Sequence, residues 1–348
     1  MPTPTFASTD ARSVGGLGVC DPCDLVSQVK EVEQRRKAPP QPQRLPPPTR
    51  GRWAAWGQPQ RLPPPGRGRW AADNYNNRLA MSYYTGHNVR PAHDIHYSWT
   101  GWSSEEYFPA TLPEGMLLHL AGALAKDNLQ MESQVWRSDE VHLSVAAPPD
   151  AAPTWISQRV KGRVDHALRQ HGVALSFSRK VSLRAFGHNR TTVVDKYVRD
   201  QLENVDLADP RYRQTLAAAA VNDPAVDLSA AVSSRHGQYW YGLHVVLVVA
   251  RRHRIGQREF LAGLRDRVVQ AARVRDCGVK RVAIMPDHMH VAVRGAPGLS
   301  PLEIALGIQE ETAGVAGCRL WEDNFYVGTF GDYDCGAVGG SVGGVRRG

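Results

Sequence analysis

Apolar and polar positions change their period along the chain, and the change predicts an alternation of strands and helices. Ile95 to Trp99 alternates with the two-residue period of a strand. Residues 154–171 place apolar side chains on one face of an amphipathic helix rich in Arg and Lys. The other segments predicted in this half are a helix over residues 115–129, a strand region over 135–145, a short segment at 177–186 and a helix over 192–202 capped by Thr191 or Thr192.

The same order of elements returns in the second half of the chain. Its predicted elements are a strand over residues 241–250, a helix over 258–275, one or two strands within 279–293, a helix over 301–313 and a segment at 321–330 that parallels 177–186. Residues 139–145 align without gaps over residues 287–293, and Pro149 and Pro153 then meet Pro297 and Pro301. The pattern is a weak internal repeat of about 110–120 residues, typical of two copies of one α/β domain.

This repeat predicts the domain organisation. We expect one domain over residues 90–206 and a second over residues 238–335, joined by an Ala-rich, partly helical linker over residues 207–237. Residues 1–75 form a Pro/Arg-rich tail in which PQRLPPP and GRWAA occur twice, a composition that predicts disorder. A Gly-rich tail over residues 336–348 has little helix propensity.

Composition and charge narrow the class of protein. The formal net charge of +8 over 348 residues favours a polyanionic partner, and nucleic acid is the usual one. No stretch approaches the roughly 18–20 apolar residues that cross a membrane, and the N-terminus lacks an apolar signal core, so we expect a cytoplasmic protein. The five cysteines make no disulfide framework, and the role of the Cys20 and Cys23 pair is left open.

One segment carries recognisable metal-binding chemistry. His288 and His290 lie at the start of an apolar run, directly after Met285-Pro286-Asp287. Alternate residues of a strand share a face, so the two imidazoles point the same way. Imidazoles placed in this way can hold one divalent cation.

The segment Met285 to Val291 resembles the HUH motif (His-hydrophobic-His) of the single-tyrosine transposases, which include those of small insertion sequences and the REP-associated tyrosine transposases. Four further segments resemble parts of that family: Leu243 to Val246, the basic run Arg251 to Arg254, Leu299 to Pro301, and Asn324 to Thr329. The resemblance covers most of residues 94–335, as a tandem of two degenerate copies. It implies an α+β fold in which two ferredoxin-like domains, each an antiparallel sheet backed by helices, pair as an intrachain pseudo-dimer.

The family cleaves DNA with one tyrosine on a late helix, and a glutamine four residues later completes its metal site. Residues 194–201 resemble that helix, so the resemblance implies Tyr197 as nucleophile and Gln201 as a metal ligand beside His288 and His290. Positions four apart lie on one face of a helix. The implied metal is Mg²⁺ or Mn²⁺.

Each half departs from the family pattern where the other keeps it. In the first half, Glu140 occupies the position of the first histidine of the motif, so only His142 remains. In the second half, Ser341 aligns with Tyr197, so the tyrosine is absent at that position. The simplest functional interpretation is one composite site in which Tyr197 reaches the metal of the second half. Glu140 and His142 are then a vestigial site, or a carboxylate–imidazole pair with residual metal affinity.

The resemblance implies an enzyme that cleaves and rejoins single-stranded DNA through a 5′-phosphotyrosine. Its implied partner is single-stranded or hairpin DNA, and the protein is expected on the nucleoid when it is bound to DNA. The candidate phosphate contacts are Lys161, Arg163, Arg251, Arg252 and Arg254. A homo-oligomer is possible but not required if the two halves pair within the chain. The alternatives left open are a domesticated DNA-binding protein, a decayed transposase, and a relaxase or replication-initiation enzyme with the same HUH chemistry.

Overall fold

The computed structural model describes residues 82–104, 107–205, 207 and 209–332, all within one compact unit that begins at Arg69. The predicted N-terminal tail, the Cys20 and Cys23 pair and the Gly-rich tail lie outside the described residues. The strands are β1 (Arg90–Asp94), β2 (His96–Ser103), β3 (Gln130–Trp136), β4 (Glu140–Ala146), β5 (Phe177–Phe186), β6 (Val221–Asn222), β7 (Val232–Ser233), β8 (Gly237–Trp240), β9 (Gly242–Val248), β10 (Gly278–Ile284), β11 (His288–Arg294) and β12 (Asn324–Phe330). The helices are α1 (Met116–Ala125), α2 (Pro153–Gln170), α3 (Thr191–Asn204), α4 (Tyr212–Ala219), α5 (Arg258–Arg273) and α6 (Pro301–Ala316).

Both halves have the same strand–helix–strand–strand–helix–strand topology. In the first half the strands lie in the order β3-β4-β2-β5, and in the second in the order β10-β11-β9-β12. Neighbours within each set of four are antiparallel. This is the ferredoxin-like arrangement. The predicted α+β class is therefore confirmed.

Each half lends a strand to the other half's sheet. β1 leads directly into β2 of the first sheet, yet it pairs in parallel with β12 of the second. β8 leads into β9 of the second sheet, yet it pairs in parallel with β5 of the first. Each sheet therefore has six strands, with β6 and β7 at the two far edges. The predicted linker supplies α4 and the short strands β6 and β7.

Contacts between the halves are reciprocal. The Thr154 amide donates to the Pro297 carbonyl at 3.0 Å, and the Leu302 amide donates to the Pro149 carbonyl at 2.8 Å. These are equivalent positions of the internal repeat. The same reciprocity holds for two glycines: a Cβ on Gly187 would lie 2.3 Å from the Thr329 carbonyl oxygen, and one on Gly331 would lie 2.2 Å from that of Ala185. Such exchange is typical of an isologous interface and favours the pseudo-dimer interpretation.

The helices cover one face of each sheet and enclose a hydrophobic core. α1 and α2 pack on the first sheet, and α5 and α6 pack together on the second. Apolar side chains of both halves belong to one continuous core, with Trp99 and Trp321 among its fully buried members. Among the described residues, no helix has both the length and the apolar character needed to cross a membrane.

Two local predictions change in the structure. The region at 135–145 is two strands, β3 and β4, rather than one strand region. The region at 279–293, predicted to hold one or two strands, contains two, β10 and β11. The predicted capping of α3 by Thr191 or Thr192 is wrong. Thr191 is already helical, Arg190 occupies the N-cap position, and no side chain accepts a hydrogen bond there. A threonine inside the first turn is past the position from which its oxygen can cap the helix.

Candidate active site

His288 and His290 lie on one face of β11, in the middle of the second sheet. β11 runs between β9 and β10, so His290 has a strand on either side and is almost fully buried. The ring centroids of His288 and His290 are 5.0 Å apart and their planes are nearly perpendicular. The strand alternation therefore places both imidazoles together, as the His-x-His spacing predicts.

One nitrogen of each imidazole is engaged by the protein. His288 Nδ1 lies 2.7 Å from Asp287 Oδ1, and Arg252 binds the other carboxylate oxygen at 3.0 Å. His290 Nδ1 lies 3.1 Å from Nε2 of His244, whose ring stacks on it at a centroid distance of 5.3 Å. These contacts occupy Nδ1 of both rings and leave Nε2 of each for ligation. A metal-bound histidine commonly has this second-shell partner.

The electrostatics also suit a metal. Burial lowers the pKa of His290 well below its ordinary value, and burial lowers the pKa of His244 to about 4. Both rings are therefore neutral near pH 7, and neutral imidazole is the form that binds a cation. The hydrogen bond from His288 keeps the pKa of Asp287 well below its usual range, so the carboxylate stays charged beside that ring. The residues present fit a divalent ion.

Helix α3 of the first half crosses this face of the second sheet. It packs against β10 and β11, where Val194 and Val198 join a small apolar cluster with Ala283 and Ala292. Tyr197 packs against the same cluster, one helical turn from Val194. The contact is apolar on the side toward the sheet, which explains why this helix settles there.

Tyr197 consequently lies beside the histidines. Its ring centroid is 5.4 Å from that of His290 and 5.8 Å from that of His244, both in edge-to-face geometry. An ion pair between Asp195 and Arg281 of β10 fastens the same helix to the sheet, with one N–O distance of 3.0 Å and a second, shorter contact. The structure thus brings together the predicted nucleophile of one half and the predicted ligands of the other.

The side chain of Gln201 is not in position to ligate a metal, which is its predicted role. Its carboxamide nitrogen donates to the backbone carbonyl of Tyr197 at 3.2 Å, within the same helix. Gln201 remains a predicted ligand that would have to change rotamer to leave this bond.

The equivalent position in the first half is closed by protein contacts. His142 is buried, with Nδ1 2.9 Å from Thr100 Oγ1 and Nε2 3.1 Å from Glu140 Oε1. Burial opposes the charge of Glu140, but His142 and Arg137 outweigh it and lower the pKa of Glu140. Nδ1 is hydrogen-bonded, while Nε2 lies close to the Glu140 carboxylate outside hydrogen-bond geometry. The contact of Nε2 with a protein carboxylate favours the vestigial interpretation over residual metal affinity.

Comparison with known proteins gives one family match. Residues 238–339 match the family model described as transposase IS200 like. The second half of the chain is therefore similar to the IS200-like, single-tyrosine transposases. A search of curated proteins found no significant match.

The match covers the half that carries the histidines and does not extend to α3. The tandem of two copies therefore rests on the shared topology and the sequence repeat. The boundaries predicted from the sequence, 90–206 and 238–335, remain predictions.

The candidate phosphate contacts predicted from the sequence fall into two groups. Arg251, Arg252 and Arg254 are exposed in the segment after β9, and Arg252 reaches Asp287 beside His288. Lys161 and Arg163 lie on α2 of the other half. Lys161 donates to the Ser178 carbonyl at 2.6 Å, and Arg163 pairs with Asp127 through two hydrogen bonds. The first group therefore lies on a segment that reaches the histidine site through Arg252, while both members of the second group are held by protein partners in the other half.

Sequence reasoning missed His244 as part of the site. Its strand was matched to the family, but the histidine itself was given no role. Strand alternation gives two possible faces for His244, and the pairing of β9 with β11 places it on the same side of the sheet as His288 and His290. Tyr326 of β12 was also overlooked, and its ring packs on His244 at a centroid distance of 6.0 Å.

Proposed function

We propose that the protein is a DNA transposase that cleaves and rejoins single-stranded DNA through Tyr197, next to a metal held by His288, His290 and Gln201. The observation that carries this proposal is the edge contact between Tyr197 and His290, 5.4 Å between ring centroids. It joins two residues that lie in different halves of the chain.

The two halves are complementary in what they lack. The second half carries the histidine pair, and the tyrosine on its active face, Tyr326, is half-buried beside His244. The first half carries Tyr197 on α3, but its own histidine position is closed by Glu140 and Thr100. A composite site therefore uses the parts of each half that remain suited to the chemistry.

In the proposed reaction the Tyr197 oxygen attacks a backbone phosphorus. The new bond is a tyrosine O–P ester, the bond that breaks is the P–O3′ bond, and the 3′ oxygen leaves with a proton as a free hydroxyl. The DNA remains attached through a 5′-phosphotyrosine. The reverse attack by a 3′ hydroxyl rejoins the strand and returns the phenol, because a phenolate is a competent leaving group.

A bound Mg²⁺ or Mn²⁺ would polarise the scissile phosphate and offset its growing charge. His288 and His290 would hold it through Nε2, with Asp287 and His244 fixing the orientation of the two rings. Gln201 would add an oxygen ligand after leaving its bond to the Tyr197 carbonyl. Burial of His290 keeps the ligand neutral and excludes competing water.

The basic segment after β9 suits the proposed substrate. Arg251, Arg252 and Arg254 are exposed on the segment whose Arg252 contacts Asp287, and they would neutralise phosphates of the bound strand. A single strand or a hairpin end fits the proposed chemistry because its backbone can approach a recessed tyrosine. We further propose that the protein acts in the cytoplasm, on the nucleoid when bound to DNA.

The decisive experiment is capture of the covalent adduct. The full chain is incubated with Mn²⁺ and labelled single-stranded and hairpin oligonucleotides from the DNA flanking its coding region, and adducts are separated by denaturing electrophoresis. We expect an adduct with the native chain, none with Tyr197→Phe, and a loss of at least about a hundredfold with His288→Ala/His290→Ala. Tyr326→Phe is the matched control, because it removes a hydroxyl from the other tyrosine at His244, and its adduct should persist.

A specific observation favours the second candidate, a DNA-binding protein without strand-transfer activity: the Gln201 amide is turned away onto its own helix. Retained binding to these oligonucleotides without any adduct would support that alternative. An adduct that survives Tyr197→Phe would refute Tyr197 as the nucleophile.

A further inference from the structure

A second cluster of metal-ligating side chains lies where the chain crosses between the two sheets. Asp94 ends β1 in the second sheet, His96 begins β2 in the first, and His188 follows β5. One ligand atom from each residue lies within 4.8 Å of the others. His96 Nε2 is 2.7 Å from Asp94 Oδ1, and His188 Nε2 is 3.9 Å from Asp94 Oδ2. The cluster shares no residue with the His288 and His290 pair.

A fourth residue gives this cluster the architecture of a metal site. Glu132 Oε1 lies 2.8 Å from Nδ1 of His96, the ring nitrogen that faces away from Asp94. The distance is short, but the angles of this contact fall outside hydrogen-bond geometry. A carboxylate on the far nitrogen of a ligating imidazole is the usual second-shell arrangement, because it fixes the ring and makes it more basic.

The cluster is not a by-product of the internal repeat. The equivalent positions in the other half are Trp240, Gly242 and Asp332, which line a small cavity of about 110 Å³ together with Arg184. Only Asp332 among them carries a ligating group. The three ligands therefore occur at one of two related crossovers, which is expected of a site with its own function.

The location suggests what a bound ion would do. His188 stands three residues before Thr191, where α3 begins, and Asp94 and His96 flank Ile95 at the strand crossover. An ion held by all three would tie the segment that leads into the Tyr197 helix to both sheets at once. The exposed edge of His188 leaves room for a water molecule to complete the coordination.

We propose that Asp94, His96 and His188 form a second divalent-metal site that fastens the start of the Tyr197 helix. Two imidazoles and one carboxylate suit Zn²⁺ or another late first-row ion better than Mg²⁺, which prefers oxygen ligands. A site of three protein ligands and water is then expected, with Glu132 behind His96.

The rival arrangement is an ion-pair clamp without metal. Burial opposes a charge on His96, but its contacts with Asp94 and Glu132 outweigh burial and raise its pKa to about 9. An imidazolium between two carboxylates would need neither a cation nor His188. The two arrangements therefore differ in whether His188 takes part.

The test measures Co²⁺ and Zn²⁺ binding to the full chain in the His288→Ala/His290→Ala background, which removes the first site. We expect one Co²⁺ per chain with a visible absorption band, displaced by Zn²⁺, and a rise in melting temperature with Zn²⁺. Adding His188→Ala should weaken binding at least tenfold, whereas His93→Ala, an exposed histidine on the opposite face of β1, should not.

His188→Cys protects the result against a folding artefact, because it keeps a ligand and should add a sulfur-to-cobalt charge-transfer band. The proposal is overturned if the His288→Ala/His290→Ala chain binds no Co²⁺, or if binding is the same after His188→Ala. Neither readout depends on DNA cleavage, so the result is independent of the proposed transposase activity.

Discussion

At the scale of single residues, His244 determines how His290 is presented. The two rings stack at an interplanar angle of 14°, and the nitrogen contact between them engages His290 Nδ1 and leaves His290 Nε2 for ligation. If His290 ligates through Nε2, its proton is on Nδ1 and donates to His244 Nε2. His244 is uncharged at neutral pH and can accept that bond. We therefore regard His244 as a positioning residue.

We predict that His244→Phe lowers Mn²⁺ affinity by about 10–100-fold, because the ring of His290 loses its hydrogen-bond partner while the packing volume is kept. Calorimetry with the His188→Ala chain, which lacks the second proposed site, would measure this loss. His244→Gln should recover much of the affinity because its amide can still bond to His290. Affinity that is unchanged in His244→Phe would reduce His244 to a packing role.

At the scale of elements, the placement of α3 depends on an apolar contact and one ion pair. Val194 and Val198 are buried against the second sheet, and Asp195 pairs with Arg281 at the margin of that contact. The Arg281 side chain is 14% exposed and that of Asp195 is 26% exposed, so the pair is largely removed from water. Breaking it leaves a charged group without its partner in a desolvated place.

We predict that Asp195→Asn destabilises the protein by about 1–3 kcal/mol and slows adduct formation, because the helix that carries Tyr197 is held less firmly. Urea unfolding gives the free energy, and the adduct assay gives the functional effect. Asp195→Asn/Arg281→Met should recover part of the stability, since no unpaired charge remains. Additive losses in the double variant would show that the two residues do not interact.

At the scale of the whole molecule, the two halves are joined by two strands that pair with the opposite sheet and by one helix that crosses onto it. β1 and β8 each complete the sheet of the opposite half, and α3 crosses onto the second sheet. The exposed arginines after β9 lie on the segment whose Arg252 contacts Asp287, next to His288. DNA entering the site would therefore meet the basic segment next to Tyr197 and His290.

We predict that the chain binds single-stranded or hairpin DNA more tightly than plain duplex, with an affinity that falls steeply with salt. Replacing Arg251 and Arg254 by alanine should flatten the slope of log affinity against log salt by about 0.7 for each lost phosphate contact. Lys161→Ala is the control, because that ammonium already donates to the Ser178 carbonyl. Equal competition by duplex of any sequence would contradict the predicted preference.

Much of this organisation can be predicted from local sequence. The His288 and His290 pair follows from the two-residue period of a strand, and α2 and α6 follow from apolar spacing and from Pro153 and Pro301 at their first turns. The internal repeat predicts two similar halves, and the observed topologies agree. Such features depend on neighbours along the chain, so the sequence contains their physical cause.

Tertiary structure alone decided the arrangement across the halves. Nothing local to β1 indicates that it pairs with β12, and nothing local to His244 indicates that it stacks on His290, because strand order brings together residues far apart in sequence. The Asp94, His96 and His188 cluster has the same origin, since its members come from different strands and a loop. The sequence determined the faces of each element, and long-range pairing of sheets and side chains decided which faces meet.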